Sequence, residues 1–356
     1  MRRSTVLAVA LALDLAFGEP PAGIHPVVWF GRLAAFLERR AGRGSPTREL
    51  TAGAALTLTS LGMAWLTTLA AEALLAFGTR RFVQAAIPRL GIRSATHLAG
   101  ATTLLAEAWL LKTTLSLRAL TEAAGVVQKA LAREDLAAAR SGLRSLVSRD
   151  ASALDASLMA AAAIESVAEN ASDALVAPLL AYAACGLPGA AVYRAMNTLD
   201  AMIGYRGSYE WLGKSAARLD DAANLIPSRL SAGLLTLSAG PRRGRSGWQI
   251  AWRDHGRTAS PNAGWPMSAM AGTLGVELEK VGHYRLGAPA RLPEAKDIGT
   301  AVALVRRAAV LTLLLVVVKE WLWRGRMGEC ATSAYNLPNG VGAAHRRRKR
   351  ERELGH

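Results

Sequence analysis

The sequence predicts an all-α, polytopic integral membrane protein with three to five transmembrane helices joined by amphipathic helical loops. Three observations carry that expectation. Apolar residues make up 51% of the 356 while the net charge is +16, yet the mean hydropathy is still positive, at +0.19. The charges fall between long apolar stretches, as basic loops do between membrane spans. No strand alternation is sustained anywhere, which argues against a Rossmann or barrel domain. The same composition excludes a disordered chain. The two cysteines, Cys185 and Cys330, cannot build a disulfide framework, nor a cysteine-based zinc site without other ligands.

Six segments follow in order. Residues 1–31 hold an apolar segment and a motif loop. Their start resembles a signal peptide, but Asp14 interrupts the apolar run and no small-x-small site follows, so a retained segment is expected. Residues 32–117 carry the first membrane helices: 51–77, with Glu72 as its one charge, and 95–111, interrupted by His97 and Glu107. Residues 118–173 place Ala, Leu and charges at helical spacing, predicting two or three amphipathic helices and an acidic motif.

Residues 174–300 read as broken membrane helices with candidate catalytic loops. The stretch 174–193 is uncharged but contains Pro178 and the turn-like Gly186-Leu187-Pro188-Gly189, so a broken or re-entrant helix that does not fully cross is expected. The stretch 230–241 is short for a span unless its helix starts near Asn224. Residues 301–325 form a C-terminal membrane helix around 308–318, lengthened by snorkelling of Arg306, Arg307 and Lys319 and anchored by Trp321 and Trp323. Residues 326–356 are a basic tail. Its run at 346–350 suits a cytoplasmic, topology-fixing or lipid-touching tail rather than a nucleic-acid patch.

Several clusters have the residue types that chemistry needs. Glu165, Glu169 and Asp173 stand at i, i+4 and i+8, on one face of a helix. Like charges there repel, and a bound Mg²⁺ would reverse the cost. Spacing alone favours a solvated acidic face at the start of the next span. Asp220-Asp221 and Asn197…Asp200 lie near Arg206, Lys214 and Arg218, the parts that hold Mg²⁺ and a polyphosphate. Each is also an ordinary polar helix end. Gly213-Lys214-Ser215 imitates the end of a phosphate loop, but the required first glycine would be Ser208, so the register fails. Ser260-Pro261-Asn262-Ala263-Gly264-Trp265-Pro266 is a rigid polar turn, followed by small Ala269, Ala271 and Gly272; it suits close approach to a ligand or an ordinary loop. His25 stands alone, and a lone histidine is more often structural.

Together these motifs form an ordered set. Asp14…Gly18-Glu19-Pro20…His25-Pro26-Val27, then Glu165-Ser166-Val167-Ala168-Glu169-Asn170-Ala171-Ser172-Asp173…Ala177-Pro178-Leu179, come first. Asn197-Thr198-Leu199-Asp200-Ala201-Met202-Ile203-Gly204-Tyr205 and Ala217-Arg218-Leu219-Asp220-Asp221…Asn224…Pro227 follow. Ser260-Pro261-Asn262-Ala263-Gly264 with Ala269 to Val276 completes the order. The chain resembles the CobD/CbiB family, the membrane-bound adenosylcobinamide-phosphate synthases of cobalamin biosynthesis.

That resemblance implies an ATP-dependent carbon–nitrogen ligase of the cell's inner membrane. It would join (R)-1-amino-2-propanol, or its O-phosphate, to the free propionate of adenosylcobyric acid. It implies MgATP held by Glu165, Glu169, Asp173, Asp200, Asp220 and Asp221, with Arg206, Lys214 and Arg218 clamping phosphate. Asn170, Asn197 and Asn262 would orient substrate oxygens, Asp200 would belong to the catalytic group, and His25 or Glu169 would take the proton from the amine. The implied partners are the two substrates, the lipid bilayer and other membrane enzymes of the corrinoid pathway, with no nucleic acid. The sequence departs from the family pattern at Glu19, where Asp is usual, and at Met267, where an acid is common. A non-catalytic membrane scaffold for corrinoid enzymes is the alternative. A transporter built on Glu72 and Glu107 is a third reading, for which no inverted repeat is visible.

Overall fold

The computed structural model describes residues 3–205 and 207–335. Compact unit Met1–Leu313 contains all the features described below except the end of the last helix, which runs on into unit Leu314–His356. The basic tail expected at 326–356 lies mostly outside the described residues, as does Arg206.

Helix α1 (Arg3–Phe17) ends where Gly18 turns into the left-handed region. Asp14, near its end, accepts the backbone N–H of Arg118 at 3.0 Å. It thereby caps α4 (Leu117–Ala132), whose own N-cap Ser116 makes no side-chain cap bond. Helix α2 (Pro26–Arg40) starts at the N-cap His25, whose Nδ1 accepts from the Val27 amide.

Helix α3 (Pro46–Lys112) is two limbs rather than one rod. Ser45 caps its start, and Gly91, three residues after Pro88, adopts φ 72°. Thr79 and Thr103 hydroxyls meet at 2.7 Å. An unbroken helix would separate them by about 36 Å, so the chain folds back at Gly91. The limbs expose Leu58, Leu66, Leu74, Phe77, Leu98 and Leu105, an apolar surface of the kind lipid covers.

The expected two or three amphipathic helices of 118–173 are α4, α5 (Leu136–Leu143) and α6 (Ala156–Ala171), capped by Asp135 and Asp155. Most of α6 is buried, and a π-turn at Ser172–Val176 joins it to α7 (Ala177–Ile203). Here the chain folds back again: Gly186 has φ 71°, and a Cβ on Gly189 would lie 2.6 Å from the Ala181 carbonyl oxygen. Ala177, Tyr193 and Met196 pack in one cluster across the fold. The sequence's broken helix is thus a hairpin.

Helices α8 (Lys214–Ala223), α9 (Leu225–Ser238), α10 (Pro241–Asp254) and α11 (Gly264–Leu274) follow. The apolar stretch 230–241 belongs largely to α9, which at 14 residues is too short to cross a bilayer. It packs instead with α10 and α11 around Ala232, Ala251, Trp265 and Ala269. Gly247 and Gly272 let α10 and α11 touch: a Cβ on Gly272 would lie 2.9 Å from the Gly247 Cα. The small residues after Trp265 therefore serve helix packing. A short antiparallel hairpin, β1 (Leu278–Lys280) and β2 (Tyr284–Leu286), precedes α12 (Ala295–Tyr335).

Among the described residues, three helical stretches are long and apolar enough to cross a membrane: Pro46–Lys112, Ala156–Ile203 and Ala295–Leu322. With almost no sheet, this is an all-α polytopic membrane protein.

Candidate active site

The second fold-back has a direct consequence for the acidic motifs. Because α7 returns, Asp173 before it and Asp200 near its end face one cavity of ≈880 Å³. Glu169, Asp220 and Asp221 line the same space, together with Lys214, Arg218 and Asn262. Carboxylates from α6, the π-turn, α7 and α8 thus converge with the cations Lys214 and Arg218, which α8 also carries.

Each is held locally. Asp200 folds its carboxylate over Gly204, where a Cβ would lie 2.0 Å from Oδ1; only glycine leaves that room. Asp220 Oδ2 accepts the Asn224 amide at 2.9 Å, and Asn224 in turn accepts the Tyr193 hydroxyl at 2.8 Å. Burial, then the nearby Asp200, pushes the Asp220 carboxyl up to about 6, against the pull of Asn224 and Asn197. Burial also raises Asp221, and Arg218 opposes it. Asn262 donates to the Asp221 carbonyl at 2.7 Å, while Ser260 Oγ accepts the Asn262 and Ala263 amides and shapes the turn. Lys214 reaches Glu210 at 3.6 Å and lies over Trp211.

The donor set suits Mg²⁺, which prefers oxygen ligands. Asp220 Oδ1 is buried without a hydrogen-bond partner, a charge that calls for a cation. Among the described residues no three His, Cys, Asp or Glu side chains stand close enough to hold an ion alone. A Mg²⁺ here would need water and phosphate oxygens besides one or two of these carboxylates.

Other expected site residues fall elsewhere. Glu165 lines a separate, smaller cavity with Asn170, and gives one oxygen to Arg149 at 3.0 Å. Its divergence from Asp173 has a plain cause: each i+4 step turns about 40° around a helix, and the offset accumulates. Asn170 donates to the Ser166 carbonyl at 2.9 Å. Asn197 is beside Arg194 and Asp220 rather than on the cavity lining. His25 is also off that lining: it is buried as a helix cap, and burial lowers its pKa. Glu72 and Glu107 hold the tip and flank of the α7 hairpin, through the Leu187 amide and the Tyr182 hydroxyl.

Arg229 and His255 are among the cavity residues that the sequence alone does not single out. Arg229 reaches Asn262 Oδ1 at 3.2 Å and lies over Trp265. His255 stacks on Trp265 with centroids 4.0 Å apart. Its Nδ1 stands 3.1 Å from two carbonyls, which places a hydrogen on that nitrogen.

Fold and site together define a polytopic helical membrane protein with a large acidic cavity lined by motif residues. A sequence model described as CobD/Cbib protein matches residues 7–312, and the chain belongs to that family. It is 38% identical over 314 residues to "Cobalamin biosynthesis protein CobD" of Dehalococcoides mccartyi, covering 88% of this chain and 96% of that one. It is 38% identical to the "Probable cobalamin biosynthesis protein CobD" of Pyrococcus furiosus, over 88% and 97% of the two chains. The "Cobalamin biosynthesis protein CbiB" of Salmonella typhimurium is 35% identical, with the same coverage of 88% and 97%. No solved structure matches the chain.

Proposed function

We propose that the chain is an ATP-dependent ligase that joins (R)-1-amino-2-propanol or its O-phosphate to the free propionate of adenosylcobyric acid. The supporting observation is the convergence of Asp173, Asp200, Asp220 and Asp221 with Lys214 and Arg218 on one cavity of ≈880 Å³. A carboxylate is a poor electrophile and needs activation. Its attack on the γ-phosphate of ATP gives an acyl phosphate and ADP; the amine then forms the C–N bond as phosphate leaves with the C–O electron pair.

Lys214, Arg218 and Arg229 neutralise the phosphates and the incoming carboxylate. Asp220 and Asp221 would hold Mg²⁺, which screens phosphate charge when bound. Asp173 and Asp200 orient the same assembly, and Asn262 fixes its far wall. Glu169 accepts the amine's proton, because it lines the cavity while His25 does not. The reaction's ATP requirement makes the cavity side cytoplasmic, in the inner membrane.

Detergent-purified protein with adenosylcobyric acid, MgATP and either amine, read by mass spectrometry, tests this. A corrinoid heavier by the amide-linked amine, absent without ATP, is expected. No product with either amine, from folded protein given lipid, would sink the ligase and favour the scaffold.

A further inference from the structure

Helices α9 and α10 meet at a corner, Ser238 to Pro241, and carry a surface left open among the described residues. On α9, Ile226, Leu230 and Leu237 fall at i, i+4 and i+11, along one stripe of the helix. Ile226 and Leu237 are 75% and 72% exposed. Gly233, in the same stripe, faces α10: the Trp248 indole lies 4.0 Å from where a Cβ would be. The stripe therefore continues onto α10, where Trp248 and Trp252 are exposed and meet edge to face. Beyond them α10 exposes Arg242, Arg243 and Arg245. Its one acid, Asp254, is fully buried and already paired with Arg253 and Arg257. Among the described residues, Arg242, Arg243 and Arg245 form no ion pair.

The neighbouring span fixes the depth of this corner. Arg307 of α12 donates to the Ser238 carbonyl at 3.3 Å, and the uninterrupted apolar run 308–318 starts at the next residue. An arginine at the end of a span stands at headgroup level. The carbonyl it holds, and the corner with it, stand there too. Apolar side chains, tryptophans and unpaired arginines at that level are the composition of a helix lying in the interface.

We propose that the α9–α10 corner docks on anionic lipid headgroups of the surrounding bilayer. Leu237 and the tryptophans dip toward the acyl chains, and Arg242, Arg243 and Arg245 meet lipid phosphates. The composition selects this occupant. A second copy meeting the face about a two-fold axis brings the arginines toward their own counterparts. An acidic protein surface matches the arginines but not Ile226 and Leu237. A helix in the interface also keeps both ends at one depth, and His255, next after α10, lines the ≈880 Å³ cavity. The docked helix thereby holds the acidic cavity at the membrane surface.

The proposal is independent of the ligase reading, and its test needs no substrate. Full-length protein with Cys185→Ser, Cys330→Ser and Leu237→Cys takes a single fluorophore at position 237. It is reconstituted in mixed phosphatidylcholine and phosphatidylglycerol bilayers, with bromine on the acyl chains of one lipid or the other. Brominated phosphatidylglycerol should quench the probe with about fivefold preference over brominated phosphatidylcholine, the scale of one basic residue at an anionic surface. Replacing all three arginines, by Arg242→Gln, Arg243→Gln and Arg245→Gln, should abolish the preference. Quenching by aqueous iodide and by neither lipid would put the face in water and overturn the docking. Protection from lipid and iodide alike would mean that another protein chain covers it, which also overturns it. So does equal quenching by the two lipids, or a preference that survives the triple replacement. If the triple variant fails to fold, the two-lipid comparison with the arginines intact decides.

Discussion

The chain folds back on itself twice, and the two hairpins use the same device for different ends. In α3 the turn is Gly91 after Pro88; in α7 it is Gly186 before Pro188. Nothing lies within 4 Å of a Cβ placed on Gly91, and its neighbours Leu90 and Ile92 are exposed. The Gly186 tip is held: Arg3 donates to the Ala183 and Ala184 carbonyls at 2.9 Å each, and Glu72 takes the Leu187 amide. The difference follows from what the limbs carry. The first hairpin presents apolar side chains outward, where tolerance is wide. The second brings Asp173 and Asp200 to one cavity, so an error at its tip reaches the chemistry.

The largest expected effect lies at the base of that second hairpin. Asp220→Asn should lower kcat by about 10²–10³-fold, the scale seen when one preorganised electrostatic group is lost. Glu122→Gln, which breaks an exposed pair with Arg118, should leave the rate unchanged. Full activity in a membrane-inserted Asp220→Asn would break the assignment. The carboxyl also predicts a pH signature. With Asp220 at about 6 in the fold against an ordinary 3.8, the native chain holds more protons between those values. Stability without Mg²⁺ should therefore fall as pH rises from about 4 to 6. Thermal unfolding should show Mg²⁺ with nucleotide restoring stability above that window, and Asp220→Asn should make the slope shallower by one carboxyl's contribution.

Next in size is a matched pair at the two tips. Gly91→Ala and Gly186→Ala each force a side chain into the left-handed region, at about 1–2 kcal/mol. Both should lower unfolding stability to that extent. Only Gly186→Ala should also cut turnover, by on the order of 10-fold to 100-fold, because small misplacements of catalytic groups are costly. Equal losses of turnover would show that the two hairpins are not functionally distinct.

Much of this was legible beforehand, for identifiable reasons. A long apolar run marks the first limb of α3, a shorter run with basic and Trp flanks marks the C-terminal helix, and Gly186-Leu187-Pro188-Gly189 announces a break in 174–193. The break's outcome is a return of α7, which leaves Asp173 and Asp200 lining the same cavity. The motif order pointed to Asp173, Asp200, Asp220, Asp221, Lys214, Arg218 and Asn262, all on the cavity. Glu165 was grouped with them because i+4 spacing was read as one face, while the accumulated rotation turns it toward Arg149. The stretch 230–241 was read by hydropathy, which cannot distinguish lipid from the protein interior that α9 meets. Arg229 and His255 had no local pattern at all. Their place beside Trp265 and Asn262 exists only once α9, α10 and α11 pack.

The smallest expected effect sharpens what holds the first hairpin. The Thr79 and Thr103 hydroxyls touch each other at 2.7 Å, and each also contacts its own helix, at the Leu75 and Ala99 carbonyls. Two hydroxyl protons serve three contacts, so one hydroxyl donates across the limbs while the other keeps its local bond. Thr103→Val removes the cross-limb bond yet leaves Thr79 a partner in the Leu75 carbonyl. No buried donor is stranded, and the cost should be about 0.6 kcal/mol, typical for a hydrogen bond between membrane helices. Reversible unfolding in mixed micelles can read such a change. A loss above about 2 kcal/mol would mean that this pair pins the limbs, and the first hairpin would then be as tightly specified as the second.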